Sequence, residues 1–116
     1  MKKALLIGIN EYPHGNELMG CLEDIDCVEK VLARNGDNSV NFHIKTLPDV
    51  QSSREGKDAI NALFHGEGEC ALFYFSGHGY LNDVGGEIVF PEDVNGSGCY
   101  AGIKLNDILT IANRSK

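Results

Sequence analysis

Positive charge is scarce in this chain. Ten lysines and arginines stand against seventeen aspartates and glutamates in 116 residues, a net charge of −7. Nucleic acid and anionic membrane are therefore disfavoured as partners, because neither counterion release nor a basic patch is available to bind them. Cationic substrates suit that balance better. Apolar runs are short too, and none approaches the length of a membrane span. Met1-Lys2-Lys3 before ALLIGI has the charged start of a secretory signal. The run stops at Asn10-Glu11-Tyr12-Pro13 with no small-residue cleavage site, so it reads as a first strand. The cysteines, Cys21, Cys27, Cys70 and Cys99, form no C-x-x-C pair. Neither a zinc site nor a disulfide framework is indicated, and reduced thiols in a cytoplasm are expected. The histidines are scattered without metal-ligand spacing. Three prolines against fourteen glycines suggest many tight turns, not low complexity. Repeats and linkers are missing, and Gly8, Gly15 and Gly20 form neither G-x-G-x-x-G nor a phosphate loop, which weakens a phosphoryl-ligand reading.

What is present is organised around Ala71 to Tyr80, ALFYFSGHGY. The apolar run Ala71 to Phe75 predicts a strand buried on both faces. Ser76-Gly77-His78-Gly79 then brackets one imidazole with glycines, so the backbone can turn sharply and approach another group closely. In open parallel sheets chemistry collects beyond the carboxyl ends of the strands, so His78 stands where a general base is useful.

The rest of the chain supplies that sheet. Lys3 to Ile9 predicts another buried strand, followed by a long loop, Asn10 to Gly20. Leu22, Ile25, Val28, Val31 and Leu32 recur at helical steps and predict a helix over Cys21 to Asn35. Glu23 and Asp24 in its first turn suit the helix dipole, while Cys21 and Asp24 share a face directed toward the strand ends. Val40 to Leu47 alternates as an edge strand does, and Ser53 to His65 predicts a second helix with Ile60, Leu63 and Phe64 on one stripe. Gly85-Gly86 and Glu87 to Phe90 suggest a small hairpin beside the site, with a loop over Asp93 to Gly102. Leu105, Ile108, Leu109 and Ala112 predict one face of a last helix. Strand, helix, strand, helix, strand implies right-handed parallel crossovers and a three-layer α/β/α sandwich with a mostly parallel sheet. A helix after a parallel strand normally delivers the chain to another strand, and none follows here, so the sheet is expected to be partial.

KALLIGINEY, MGCLEDI and ALFYFSGHGY together, in that order and spacing, resemble the caspase-like cysteine peptidases, most closely their metacaspase branch and bacterial relatives. The resemblance covers residues 1–116 as the N-terminal, large-subunit-like part of the catalytic domain. It implies that His78 is the catalytic base and that the backbone amide of Gly79 helps hold the oxyanion. It also implies a nucleophilic cysteine after a further core strand, about 50 residues past the histidine and thus beyond Lys116. Cys99 follows His78 but lies in a glycine-rich loop, and it and Cys21 are the weaker candidates for that nucleophile. Cys27 and Cys70 read as packing residues.

In the metacaspase branch the position matching Asp24 lines the primary pocket and selects Arg or Lys, with the positions matching Cys21 and Ser76 beside it. Caspases proper accept aspartate with an arginine in this region, and Asn10 to Cys21 contains none. Many metacaspases bind calcium through acidic residues after the histidine. Here Gly102 to Asp107 reads GIKLND, and Asp83, Glu87, Glu92 and Asp93 are dispersed, so no calcium requirement and no cofactor are expected. The implied function is a cysteine endopeptidase cleaving after Arg or Lys. Its partners would be a peptide or protein substrate and either the remaining half of the domain or another chain. The chain alone is expected to be inactive. The alternative is a catalytically inactive caspase-like binding or regulatory module.

Overall fold

The computed structural model describes residues 1–66, 68–82, 85–94 and 102–114. Its main sheet has three parallel strands in the order β2-β1-β3, where β1 is Lys2–Gly8, β2 is Phe42–Pro48 and β3 is Cys70–Ser76. The register pairs Gly8 with both Pro48 and Ser76, so the three carboxyl ends are level. Helices α1 (Cys21–Ala33) and α2 (Ser53–Phe64) make the crossovers. A second, antiparallel sheet in the order β4-β5-β6 is built from β4 (Gly79–Asn82), β5 (Gly85–Ile88) and β6 (Ile103–Lys104), and α3 (Leu105–Asn113) follows. The hairpin expected beside the site is β4 and β5.

Strand alternation distributes the core between the two faces. Ala4 and Leu6 of β1 meet Ile25 of α1, with Leu72 and Tyr74 of β3 packed against them. Leu5 and Ile7 point the other way, into a larger core with Ile60, Leu63, Val89, Phe90 and Ile108, where Phe73 and Phe75 join. With α1 on one face and α2 and α3 on the other, the layers are α/β/α as the sequence pattern implied. Ser52 caps α2, its side chain accepting from the Glu55 amide at 3.2 Å. Gly8 packs where a Cβ would lie 2.7 Å from the Cys21 carbonyl oxygen, so only glycine lets β1 pass so close under the start of α1.

Four expectations are corrected. The strand buried on both faces is β1, not β3: Leu5, Leu6 and Ile7 are fully buried, whereas every residue of Ala71–Phe75 is half-buried. The reason is pairing, because among the described residues β3 has a strand on one side alone. In α3, Ile108 is buried and Ile111 packs on the core, while Leu105 and Leu109 are exposed, so the inward face is rotated from the expected one. The first helix stops at Ala33, not Asn35, because Asn35 closes its own turn: its amide donates to the Ser39 carbonyl at 2.9 Å, with Asn38 left-handed at φ 69°. Val31 is accordingly outside the apolar stripe, at 75% exposure. Lastly, Cys27 and Cys70 are exposed and do not serve packing.

Candidate active site

The site grows from the level carboxyl ends of the three strands. After Gly8, Ile9 donates its amide to the Ser76 carbonyl at 3.0 Å, and Asp49, left-handed at φ 51°, donates its own to the Gly8 carbonyl at 2.7 Å. The Asp49 carboxylate then accepts from the amides of Asn10 at 2.8 Å and Glu11 at 3.2 Å. Asn10 closes the neck of the loop that follows. Its carbonyl accepts from Leu18 at 2.8 Å, and its side-chain oxygen accepts the Cys21 amide at 2.8 Å. Gly20 offers α1 no side-chain cap, so Asn10 does that work from eleven residues upstream.

Within the loop, Pro13 to Asn16 forms a tight turn. Both central residues are left-handed, His14 at φ 61° and Gly15 at φ 77°, and the Asn16 amide donates to the Pro13 carbonyl at 3.3 Å. The turn delivers the Asn16 carbonyl to His78, 2.7 Å from Nε2. A carbonyl oxygen only accepts, so Nε2 carries the hydrogen and Nδ1 is left as the nitrogen able to take a proton.

Tyr12 holds the other side of the histidine. Its ring meets the imidazole edge-on, with centroids 4.5 Å apart and planes at 71°. Its hydroxyl accepts the His78 amide at 3.0 Å and donates to the Val89 carbonyl at 2.7 Å, and the Val89 amide returns to the His78 carbonyl at 3.0 Å. Burial pushes the phenol up to about 12; the His78 amide acts against this, and nearby Cys21, Asp49 and Asp93 add to the rise. A Cβ on Gly77 would lie 2.5 Å from the Tyr12 hydroxyl and 2.7 Å from Phe75 Cζ, so the first glycine of SGHG is required by close packing. Gly79 opens β4 and is exposed.

Beside this pair, Ser76 at the end of β3 donates its hydroxyl to Asp24 Oδ2 at 2.7 Å. Asp24 is exposed in the first turn of α1, so a carboxylate stands over the sheet edge with one oxygen engaged by Ser76. The structure thus joins Ser76 and Asp24 directly. Cys21 is buried and meets the site mainly through its amide bond to Asn10. Cys70 begins β3, about 20 Å along the strand from Ser76. Cys99 lies outside the described residues. Among the described residues no group of three His, Cys, Asp or Glu side chains converges as a metal site would need. None of their helices is long and apolar enough to cross a membrane.

The Caspase domain model of peptidase family C14 matches residues 1–113, and the chain belongs to that family. It is a domain of the cysteine-peptidase type. Among curated proteins it is similar to Metacaspase-1 of Candida albicans, 33% identical over 118 residues, covering 84% of this chain and 26% of that protein. Metacaspase-1 of Lodderomyces elongisporus is 30% identical over 129 residues, covering 93% of this chain and 28% of that protein. Metacaspase-1 of Meyerozyma guilliermondii is 29% identical over 114 residues, with 84% and 28% covered. The chain spans about a quarter of the length of the curated relatives it matches.

Tyr12, Asn10, Asp49 and the Asn16 carbonyl are the parts that sequence reasoning missed. A backbone carbonyl has no residue-type signature, and Tyr12 lies in an unpatterned loop. The G-I-N-E-Y run was the available signal, since it was already part of a quoted motif.

Proposed function

We propose that this chain supplies the histidine side of a cysteine endopeptidase that cleaves after Arg or Lys, as the N-terminal, large-subunit-like part of a caspase-type catalytic domain. The observation that carries the reading is the 2.7 Å contact between His78 Nε2 and the Asn16 carbonyl at the carboxyl edge of a parallel sheet. In the neutral ring it selects the Nε2–H tautomer and leaves Nδ1 to accept a proton. The nucleophile comes from outside these 116 residues. Its thiol gives its proton to His78 Nδ1, and the thiolate attacks the scissile carbonyl. The Gly79 amide helps hold the resulting oxyanion. The imidazolium then returns its proton to the leaving amine, and water hydrolyses the thioester. Through both proton transfers the Asn16 carbonyl keeps the ring from rotating.

Asp24 is the specificity residue in this reading, with Ser76 fixing its carboxylate and Cys21 anchoring the helix start beside it. The net charge of −7 is consistent with a cationic side chain at P1. The test uses fluorogenic peptides ending in Arg, Lys or Asp, presented to the chain alone and to the chain joined to the nucleophile-bearing half. Hydrolysis of Arg and Lys peptides by the joined protein alone is expected. A joined, folded protein that cleaves none of them overturns the peptidase reading in favour of an inactive binding or regulatory module. Preference for Asp removes the pocket assignment.

A further inference from the structure

Tyr12 is buried to 2% exposure in a loop that is otherwise largely open, and both functions of its hydroxyl are spent on the turn that carries His78. Three hydrogen bonds close a cycle: His78 N–H to the Tyr12 oxygen, Tyr12 O–H to the Val89 carbonyl, and Val89 N–H back to the His78 carbonyl. The histidine's peptide groups are thereby fixed on both sides between the sheet end and Val89, just past the second strand of the hairpin. Its side chain is fixed on two more, by the Tyr12 ring edge and by the Asn16 carbonyl four residues further along the same loop. A half-buried donor that loses its partner is destabilised, so the His78 amide favours this geometry while an acceptor stands at the Tyr12 position.

We propose that Tyr12 is a positioning residue for His78, its hydroxyl locking the SGHG turn so that the imidazole stays on the Asn16 carbonyl in the Nε2–H form. This rests on the reading of His78 as the base, but the lock itself is a property of the chain and can be measured without peptide cleavage. Phenylalanine at this position keeps the ring packing and removes only the hydroxyl, leaving the His78 amide and the Val89 carbonyl unpaired. The ring then samples other rotamers, and the Nε2–H form loses its advantage over the Nδ1–H form. The loss of preorganisation falls on the chemical step, not on substrate binding.

The experiment is nitrogen-15 NMR of the His78 ring in the 116-residue chain and in Tyr12→Phe at a pH where the imidazole is neutral. In the parent chain Nε2 should be the protonated nitrogen, and in a folded Tyr12→Phe the two nitrogens should move toward averaged shifts. A folded Tyr12→Phe with unchanged ring shifts overturns the proposal. Amide exchange in the parent chain gives a test that survives misfolding of the variant. His78 N–H should be strongly protected although the turn lies at a sheet end, and unprotected exchange there also overturns it. In the joined protein Tyr12→Phe should lower kcat on the order of ten- to a hundredfold with KM nearly unchanged. A joined protein without peptidase activity but with the tautomer change would remove the peptidase reading and leave this one; an active protein with unchanged ring shifts would do the reverse.

Discussion

Replacing Asp24 by asparagine should remove the preference for a cationic P1 residue while leaving the fold and the base in place. The side chain keeps its size and can still accept the Ser76 hydroxyl, which is 2.7 Å from Oδ2. What disappears is the charge. Its worth is bounded by the surroundings: a fully exposed pair contributes roughly 0.2 to 1 kcal/mol, and a buried, hydrogen-bonded pair about 2 to 5. Asp24 is exposed in the free chain, yet one oxygen is held by Ser76, and a docked substrate would cover the other. An intermediate value of about 1.5 to 3 kcal/mol follows, roughly 10- to 150-fold in kcat/KM for arginine over a neutral analogue such as citrulline. The assay compares that ratio for the joined protein before and after Asp24→Asn. An Arg-to-citrulline ratio that changes by less than twofold would refute the placement of the P1 cation on Asp24.

Gly56 sits in α2 where a Cβ would lie 2.5 Å from Phe90 Cζ, and Phe90 is fully buried. Alanine normally favours a helix interior by about 1 kcal/mol. Here overpacking of about 1 to 3 kcal/mol should outweigh it, so urea unfolding of Gly56→Ala should show a lower midpoint, and a raised midpoint would contradict the packing. Tyr12 ionises at about 12 when folded against 10.0 ordinarily, so its contribution to stability is complete below pH 10 and is lost as pH rises toward 12. Alkaline unfolding followed by circular dichroism should steepen over that interval by about 2 to 3 kcal/mol, and Tyr12→Phe should remove that component. Among the described residues the second edge of β3 is unpaired, and Leu81, Leu105 and Leu109 are exposed, the last at 59%. The 116-residue chain should therefore associate with rising concentration in sedimentation velocity, and a monomer at all concentrations would refute this.

Local patterns carried most of the scaffold. Apolar runs located β1 and β3, helical spacing located α1, α2 and α3, and the alternation around Phe42 and Ile44 identified an edge strand correctly. Properties that depend on neighbours were not legible. The run Ala71–Phe75 is as apolar as β1, but whether it is covered depends on what lies beside it, and its own letters do not encode that. In α3, Leu105 and Leu109 are as apolar as Ile108, so the inward face is decided by tertiary contact. For the site, the glycine-bracketed histidine could be read from its motif and Asp24 from its helix position, while Ser76 beside Asp24 came from the family resemblance, and the structure brings the two into contact. The grip on His78 could not, because it consists of a backbone carbonyl and a tyrosine whose partners are 66 and 77 residues away.

The central claim is that His78 is the proton acceptor of a thiol-based peptidase site, and His78→Ala in the joined protein tests it most directly. With the fold verified by its unfolding midpoint, kcat/KM for an arginine peptide should fall on the order of a thousandfold or more. Retention of activity within tenfold of the parent would contradict the account.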